Sequence, residues 1–213
     1  MVLPADPEGS TIKFDSAFWA WVGGPHRDPI TGQKTSWGSM VAPAADAACI
    51  VERPRSGGTW ERAIAVERSG VVEMLAGSEV AFAFRDAKAF NLGRIVALVW
   101  NALTVFSELK ERDGVQGPYL CVLAVTGTNG SFLGGFADGW RQLGDFQLEP
   151  SSCLDDHLLF KTELGEWPDS DGVRQLAFDF GDRLGYAWGQ KERRFLLHRA
   201  GQPEQFDKQR WSW

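Results

Sequence analysis

The chain has 213 residues, 44% of them hydrophobic and 23% charged, which suits one well-filled hydrophobic core and excludes a disordered polymer. Its formal net charge of −6 works against general nucleic-acid binding, because that affinity comes from Lys and Arg neutralising phosphates. Three widely spaced cysteines, Cys49, Cys121 and Cys153, read as reduced, buried thiols rather than a disulfide framework or a zinc site.

Met1 to Ser10 lacks both a basic n-region and an apolar h-region, and no run of about 18 apolar residues is present, so the expectation is a cytoplasmic protein without a membrane span. Residues 1–58 are rich in Gly, Pro, Ser and Ala. Turn signals such as Gly23-Gly24-Pro25 and Arg53-Pro54 predict long loops there, with short strands at Thr11–Phe14 and around Ala48–Glu52. The aromatic group Phe14, Phe18, Trp19, Trp21 and Trp37 is expected to fold these loops onto the body. Between Trp60 and Leu75, two β-prone runs flank Ser69-Gly70 and predict a hairpin. Its first strand has apolar residues on both parities, Ala63 and Ala65 on one and Ile64 and Val66 on the other, so both of its faces should be at least partly covered.

Ile95, Leu98, Val99, Ala102, Val105, Phe106 and Leu109 recur at three- and four-residue steps, predicting a helix over 91–112 with Asn91 as N-cap and Asp113-Gly114 as stop. Tyr119 to Val125 is nearly continuously apolar and reads as the most buried, central strand. Asn129-Gly130 is a strong turn pair, so Ser131–Phe136 is expected to fold back as the hairpin partner of that strand. A second helix should start at Asp169, Ser170 or Asp171 and run to Tyr186 or Trp188, with Val173, Leu176, Ala177, Phe180 and Leu184 inside. Arg194 to His198 reads as an edge strand and Gln202 to Trp213 as a loosely held tail. Together these elements predict a single α+β domain, a mixed, mostly antiparallel curled sheet packed by two main helices, with a loop-rich segment at 1–58, a core at 59–200 and a tail at 201–213.

The string Val125-Thr126-Gly127-Thr128-Asn129-Gly130-Ser131 is similar to the phosphate loop of the Mur ligases, VTGTNGKT, but Ser131 stands in place of the Lys and Phe132 in place of the Thr. A phosphate loop needs that ammonium, a hydroxyl for magnesium and a helix opening behind it. Gly134-Gly135 would cost about 1 kcal/mol each in such a helix. Asp155-Asp156-His157 sets two carboxylates and an imidazole in a row. A small-molecule or nucleotide site, or an enzyme centre, near Thr126–Gly130 or His157 is therefore the alternative reading. His26, His157 and His198 are scattered, no Gly-x-Ser-x-Gly is present, and no catalytic residue, cofactor or metal ligand is predicted.

Large rigid side chains with a polar handle are common binding anchors, and of ten tryptophans Trp19, Trp21, Trp37, Trp211 and Trp213 fall in predicted loops or tails. Gly181 and Gly185, four apart, make a smooth helix patch for an approaching backbone. These seven residues are the expected contacts with a protein partner or a second copy in a non-catalytic interaction module. The C-terminal stretch from Lys191 carries Lys191, Arg193, Arg194, Arg199, Lys208 and Arg210 against three acids, a modest anion-facing strip.

From Trp60 onward, the strand ending in Ser69-Gly70 with Val72-Glu73 after it, the long apolar helix, Gly117-Pro118-Tyr119 and the late Ala187-Trp188-Gly189 follow one another in a familiar order. That order resembles the accessory region downstream of the AlbA-type, Schlafen-like domain in bacterial DNA-binding or ATP-binding proteins. The resemblance covers roughly the last two-thirds of the chain and rests on short motifs. It implies a bacterial accessory module, of the stress or phage-defence kind, and no activity. The AlbA-type domain itself is not evident, so none of its functional residues carries over.

Overall fold

The computed structural model describes residues 1–4, 12–27, 34–35, 40–43, 46–52, 62–77, 80–136, 146–190, 198–199 and 202–206. Its elements are β1 (Val2–Pro4), α1 (Ser16–Gly23), β2 (His26–Arg27), β3 (Lys34–Thr35), β4 (Met40–Pro43), β5 (Ala47–Glu52), β6 (Arg62–Glu67), β7 (Val72–Ala76), β8 (Ala81–Phe84), β9 (Ala87–Asn91), α2 (Leu92–Asp113), β10 (Tyr119–Thr126), β11 (Phe132–Phe136), β12 (Phe146–Ser152), β13 (His157–Leu164), α3 (Ser170–Ala187), β14 (His198–Arg199) and β15 (Gln202–Phe206). The class is α+β, with the strands divided between a seven-stranded sheet in the order β13-β10-β1-β7-β6-β5-β4 and a four-stranded sheet in the order β12-β11-β9-β8, beside two small strand pairs. Packing groups the chain into two compact units: Met1–Gly77, Asn101–Val122 and Lys161–Ser170 form the first, and Ser78–Trp100, Leu123–Phe160 and Asp171–Trp213 form the second.

In the first unit, β4 to β7 form a meander in which Cys49 faces Ala65 and Ala65 faces Glu73. The predicted hairpin is β6–β7, turned at Gly70 with φ 83°, a conformation that glycine adopts without steric cost. β1 was not expected. It pairs with both β7 and β10, with Val2 opposite Val72 on one side and Cys121 on the other. Residues opposed across antiparallel strands share a face, and this register puts Val2, Ile50, Ile64, Val66, Val72, Tyr119 and Cys121 on one side, all buried. Phe106 of α2 packs there, 5.5 Å from the Tyr119 ring and 4.5 Å from Trp167.

α1 also replaces a predicted loop. Its run of bulky residues is a weak helix former, but the Asp15 carboxylate caps it by accepting the Phe18 N–H at 2.8 Å, and Phe18 is wholly buried in a stack on Phe14. Residues 12–14, read as part of a strand, carry none; the Ile12 N–H donates instead to the Arg68 carbonyl. α2 matches its prediction: the Asn91 side chain accepts the Arg94 N–H, and Gly114, at φ 69°, closes the helix through its N–H to the Lys110 carbonyl. By length and composition α2 is apolar enough to cross a membrane, and 61% of that stretch is buried within the protein.

β10 alternates where a wholly buried strand was predicted. Tyr119, Cys121 and Val125 are buried, whereas Ala124 and Thr126 are exposed, because one face of an antiparallel strand turns away from the core.

In the second unit the expected hairpin between β10 and β11 does not form. β11 runs parallel to β9, with Leu133 opposite Phe90, and antiparallel to β12. Gly134 marks close packing: a Cβ there would meet the Phe146 ring at 2.5 Å and the Gln147 carbonyl at 2.6 Å. α3 buries the predicted stripe together with Phe178, and Trp188 beyond it is buried. Where a loose tail was expected from Gln202, β15 pairs with β14. Of the predicted strand 194–198, only His198 lies among the described residues.

Candidate functional site

Three of the expected partner anchors, Trp37, Trp211 and Trp213, lie outside the described residues. Trp19 and Trp21 are half-buried within the protein's own contacts. Trp19 stands edge-on to Phe14 and Phe18, and the Trp21 indole N–H donates at 3.1 Å to Glu108 Oε2, the oxygen that also meets His26 Nδ1 at 3.1 Å. Arg112 lies over the rings of Phe18 and Trp21, completing a cluster that pins α1 to α2. Gly181 and Gly185 are buried. The chain turns back after Gly189, at φ 73°, and sets the Gln190 side chain against Gly185, so the patch is filled from within.

The two alternative sites prove to be one place. The Thr128 hydroxyl donates to the Asp155 carbonyl and its N–H to the Asp156 carbonyl, which joins residues 126–131 to residues 153–157. Thr128 and Ser131 are fully buried, and the Ser131 carbonyl accepts the Trp188 indole N–H at 3.0 Å. The Lys88 ammonium donates to the Gly127 carbonyl at 2.6 Å, and His157 Nε2 lies 3.1 Å from Asp156 Oδ2 at the exposed rim. A phosphate nest needs N–H groups aimed outward. Here the N–H groups of Thr128, Gly130 and Ser131 donate to the carbonyls of Asp156, Cys153 and Thr128. The segment is thus a clasp that carries the chain from β10 to β11. Among the described residues, no three His, Cys, Asp or Glu side chains gather to hold a metal ion.

Among the described residues, a partly open apolar surface lies on the second face of the seven-stranded sheet within the first unit. The register that buries Val2, Ile64 and Cys121 turns Leu3, Ala47, Cys49, Val51, Ala63, Ala65, Glu67, Glu73, Leu75, Leu120 and Val122 to the other side. Each of these is part-buried and keeps some contact with solvent, except Leu75, which is 59% exposed. A solvated antiparallel face normally alternates to polar residues. On β1, β5, β6, β7 and β10 the described side chains of this face are apolar apart from Glu67 and Glu73; the edge strand β13 adds polar residues to the sheet, with Lys161 and Glu163 exposed. Burial on the opposite face pushes the Cys121 thiol up to about 12, whereas Cys49 sits half-exposed on the open face.

The sequence pattern was read otherwise: the apolar parities of β6 predicted at least partial cover on both faces and β10 was expected to be the most buried strand, whereas Ala63, Ala65, Leu120 and Val122 keep contact with solvent. Which parity faces outward required the register. Comparison with models of known protein families, with characterised proteins and with solved structures finds no match.

Proposed function

We propose that the chain is a non-catalytic protein-interaction module that docks a partner protein on the open face of its seven-stranded sheet. The observation that carries this reading is that Leu3, Val51, Leu75, Leu120 and Val122 share one face with four small residues and keep contact with solvent. Contiguous exposed apolar surface of this kind is uncommon on a monomer and marks interaction sites.

A hydrophobic dye tests it. Wild-type protein should enhance bis-ANS fluorescence while fully folded, and the double substitution Val51→Lys with Leu75→Lys should remove roughly half or more of that signal. Because both side chains already touch water, the melting temperature should move by only a few degrees. Equal dye signals from the two folded proteins would refute the reading.

A second reading, a small-molecule or nucleotide site at the clasp, is favoured by the convergence of Thr126–Gly130 with Asp155–His157 and Lys88. Under the docking reading, magnesium-ATP leaves the melting temperature within about 1 °C; a rise of several degrees would favour the clasp, since a ligand of the native state stabilises it.

A further inference from the structure

Resting on the docking reading, we infer that the occupant of the open face is an amphipathic helix of a partner protein that carries Lys or Arg beside its apolar stripe. The face has two heights. Over β5 and β6 it is low at Ala47, Cys49, Ala63 and Ala65, with Val51 and Glu67 at opposite corners; β7 brings Glu73 and Leu75, and beyond it β1 and β10 add Leu3, Leu120 and Val122. Neighbouring strands lie about 4.8 Å apart, so β5 to β7 span about 10 Å, the width of a helix with its side chains. The low strip therefore seats one helix along the strands, with Leu75 as its wall.

Charge selects the sign of that helix. Glu73 stands opposite Ala65, and Glu67 stands opposite Ala47, so both carboxylates flank the same end of the floor. Glu67 accepts the Ser69 hydroxyl, and the Met1 amino group lies near Glu73 while donating to the Val122 carbonyl. Among the described residues of this face on β5, β6, β7 and β10, no Lys or Arg side chain accompanies them. A second copy, turned about an axis parallel to the strands so that its high half fills this low half, would lay Glu67 and Glu73 against the same pair. Like charges in contact are unfavourable, whereas a basic helix meets them with opposite charge.

The probe is a fluorescein-labelled peptide of about 18 residues, built from Leu and Lys with a single Leu stripe, alongside its Leu/Glu counterpart. Binding is followed by anisotropy at physiological salt, and occupancy of the floor by the rate at which iodoacetamide alkylates Cys49. Cys121, with its thiol held near 12, and buried Cys153 stay unreactive in the native state. The Leu/Lys peptide should bind and slow Cys49 alkylation about tenfold, and Glu67→Lys with Glu73→Lys should weaken it about tenfold, while the Leu/Glu peptide does not bind. Ala65→Trp, which fills the floor, should abolish binding provided its circular dichroism is native; the protection of Cys49 in wild-type protein decides the matter without it.

Four results overturn the inference: binding that leaves Cys49 reactive, equal binding of the two peptides, Cys49 protection that grows with protein concentration alone, which would assign the face to a second copy, or no binding of the Leu/Lys peptide. If the dye experiment succeeds and the Leu/Lys peptide fails to bind, the face stands and this occupant falls.

Discussion

Trp188→Ala is expected to cost about 4 kcal/mol of folding stability, the range seen when a large buried aromatic ring is removed. Trp188 is 1% exposed, its ring lies 5.7 Å from that of Phe90, and its indole N–H is bonded to the Ser131 carbonyl. That carbonyl also accepts the Cys153 N–H, so the substitution leaves it with one bond rather than none, and most of the loss comes from the cavity. Trp188→Phe keeps much of the packing and should cost about 1–2 kcal/mol, chiefly the missing hydrogen bond. Urea unfolding followed by circular dichroism measures both. A drop of less than about 1 kcal/mol for Trp188→Ala would mean that the clasp is not held by this ring.

Phe106→Ala should have a loss of similar size, about 3–5 kcal/mol, in the first unit. Phe106 is wholly buried between Tyr119 and Trp167, and Trp167 is itself fixed by its indole N–H on the Ser107 hydroxyl at 2.8 Å. Removing the central ring frees the other two, so near-ultraviolet circular dichroism should weaken before the backbone signal does. Phe106→Leu restores part of the volume and should recover more than half of the stability. A native near-ultraviolet spectrum in folded Phe106→Ala would show that the three rings do not act as one packed group.

Against natural stabilities of about 5–15 kcal/mol, either alanine substitution removes a large share. The open-face substitutions Val51→Lys and Leu75→Lys should cost little by comparison, because Leu75 is exposed and Val51 is only part-buried. That contrast separates residues that hold the fold from residues that it displays.

The two long helices were legible because their apolar residues repeat at helical spacing and Asn91 and Gly114 mark the ends of the first. The β6–β7 hairpin was legible from its turn glycine. The clasp was not, because Asn129-Gly130 specifies a reversal of the chain but not which strand accepts it. That choice is made by the Cys153, Asp155 and Asp156 carbonyls, more than twenty residues away, and by the parallel pairing of β11 with β9. α1 escaped because its stability lies in tertiary contacts of Phe18 and Trp21 rather than in propensity. The Gly181/Gly185 patch was legible as a smooth surface. Its occupation by Gln190 depends on a turn that the pattern of glycines alone does not specify.

The position of β1 has a consequence for how the chain assembles during synthesis. The four strands of the β4–β7 meander follow one another closely and can pair as they emerge, but β1, which precedes them in the chain, belongs between β7 and a strand that begins at Tyr119. Loop-closure entropy slows pairings between such distant segments. A nascent chain halted before β10 would therefore hold a half-built sheet whose β7 edge waits for neighbours, a stage at which chaperone binding should be strongest.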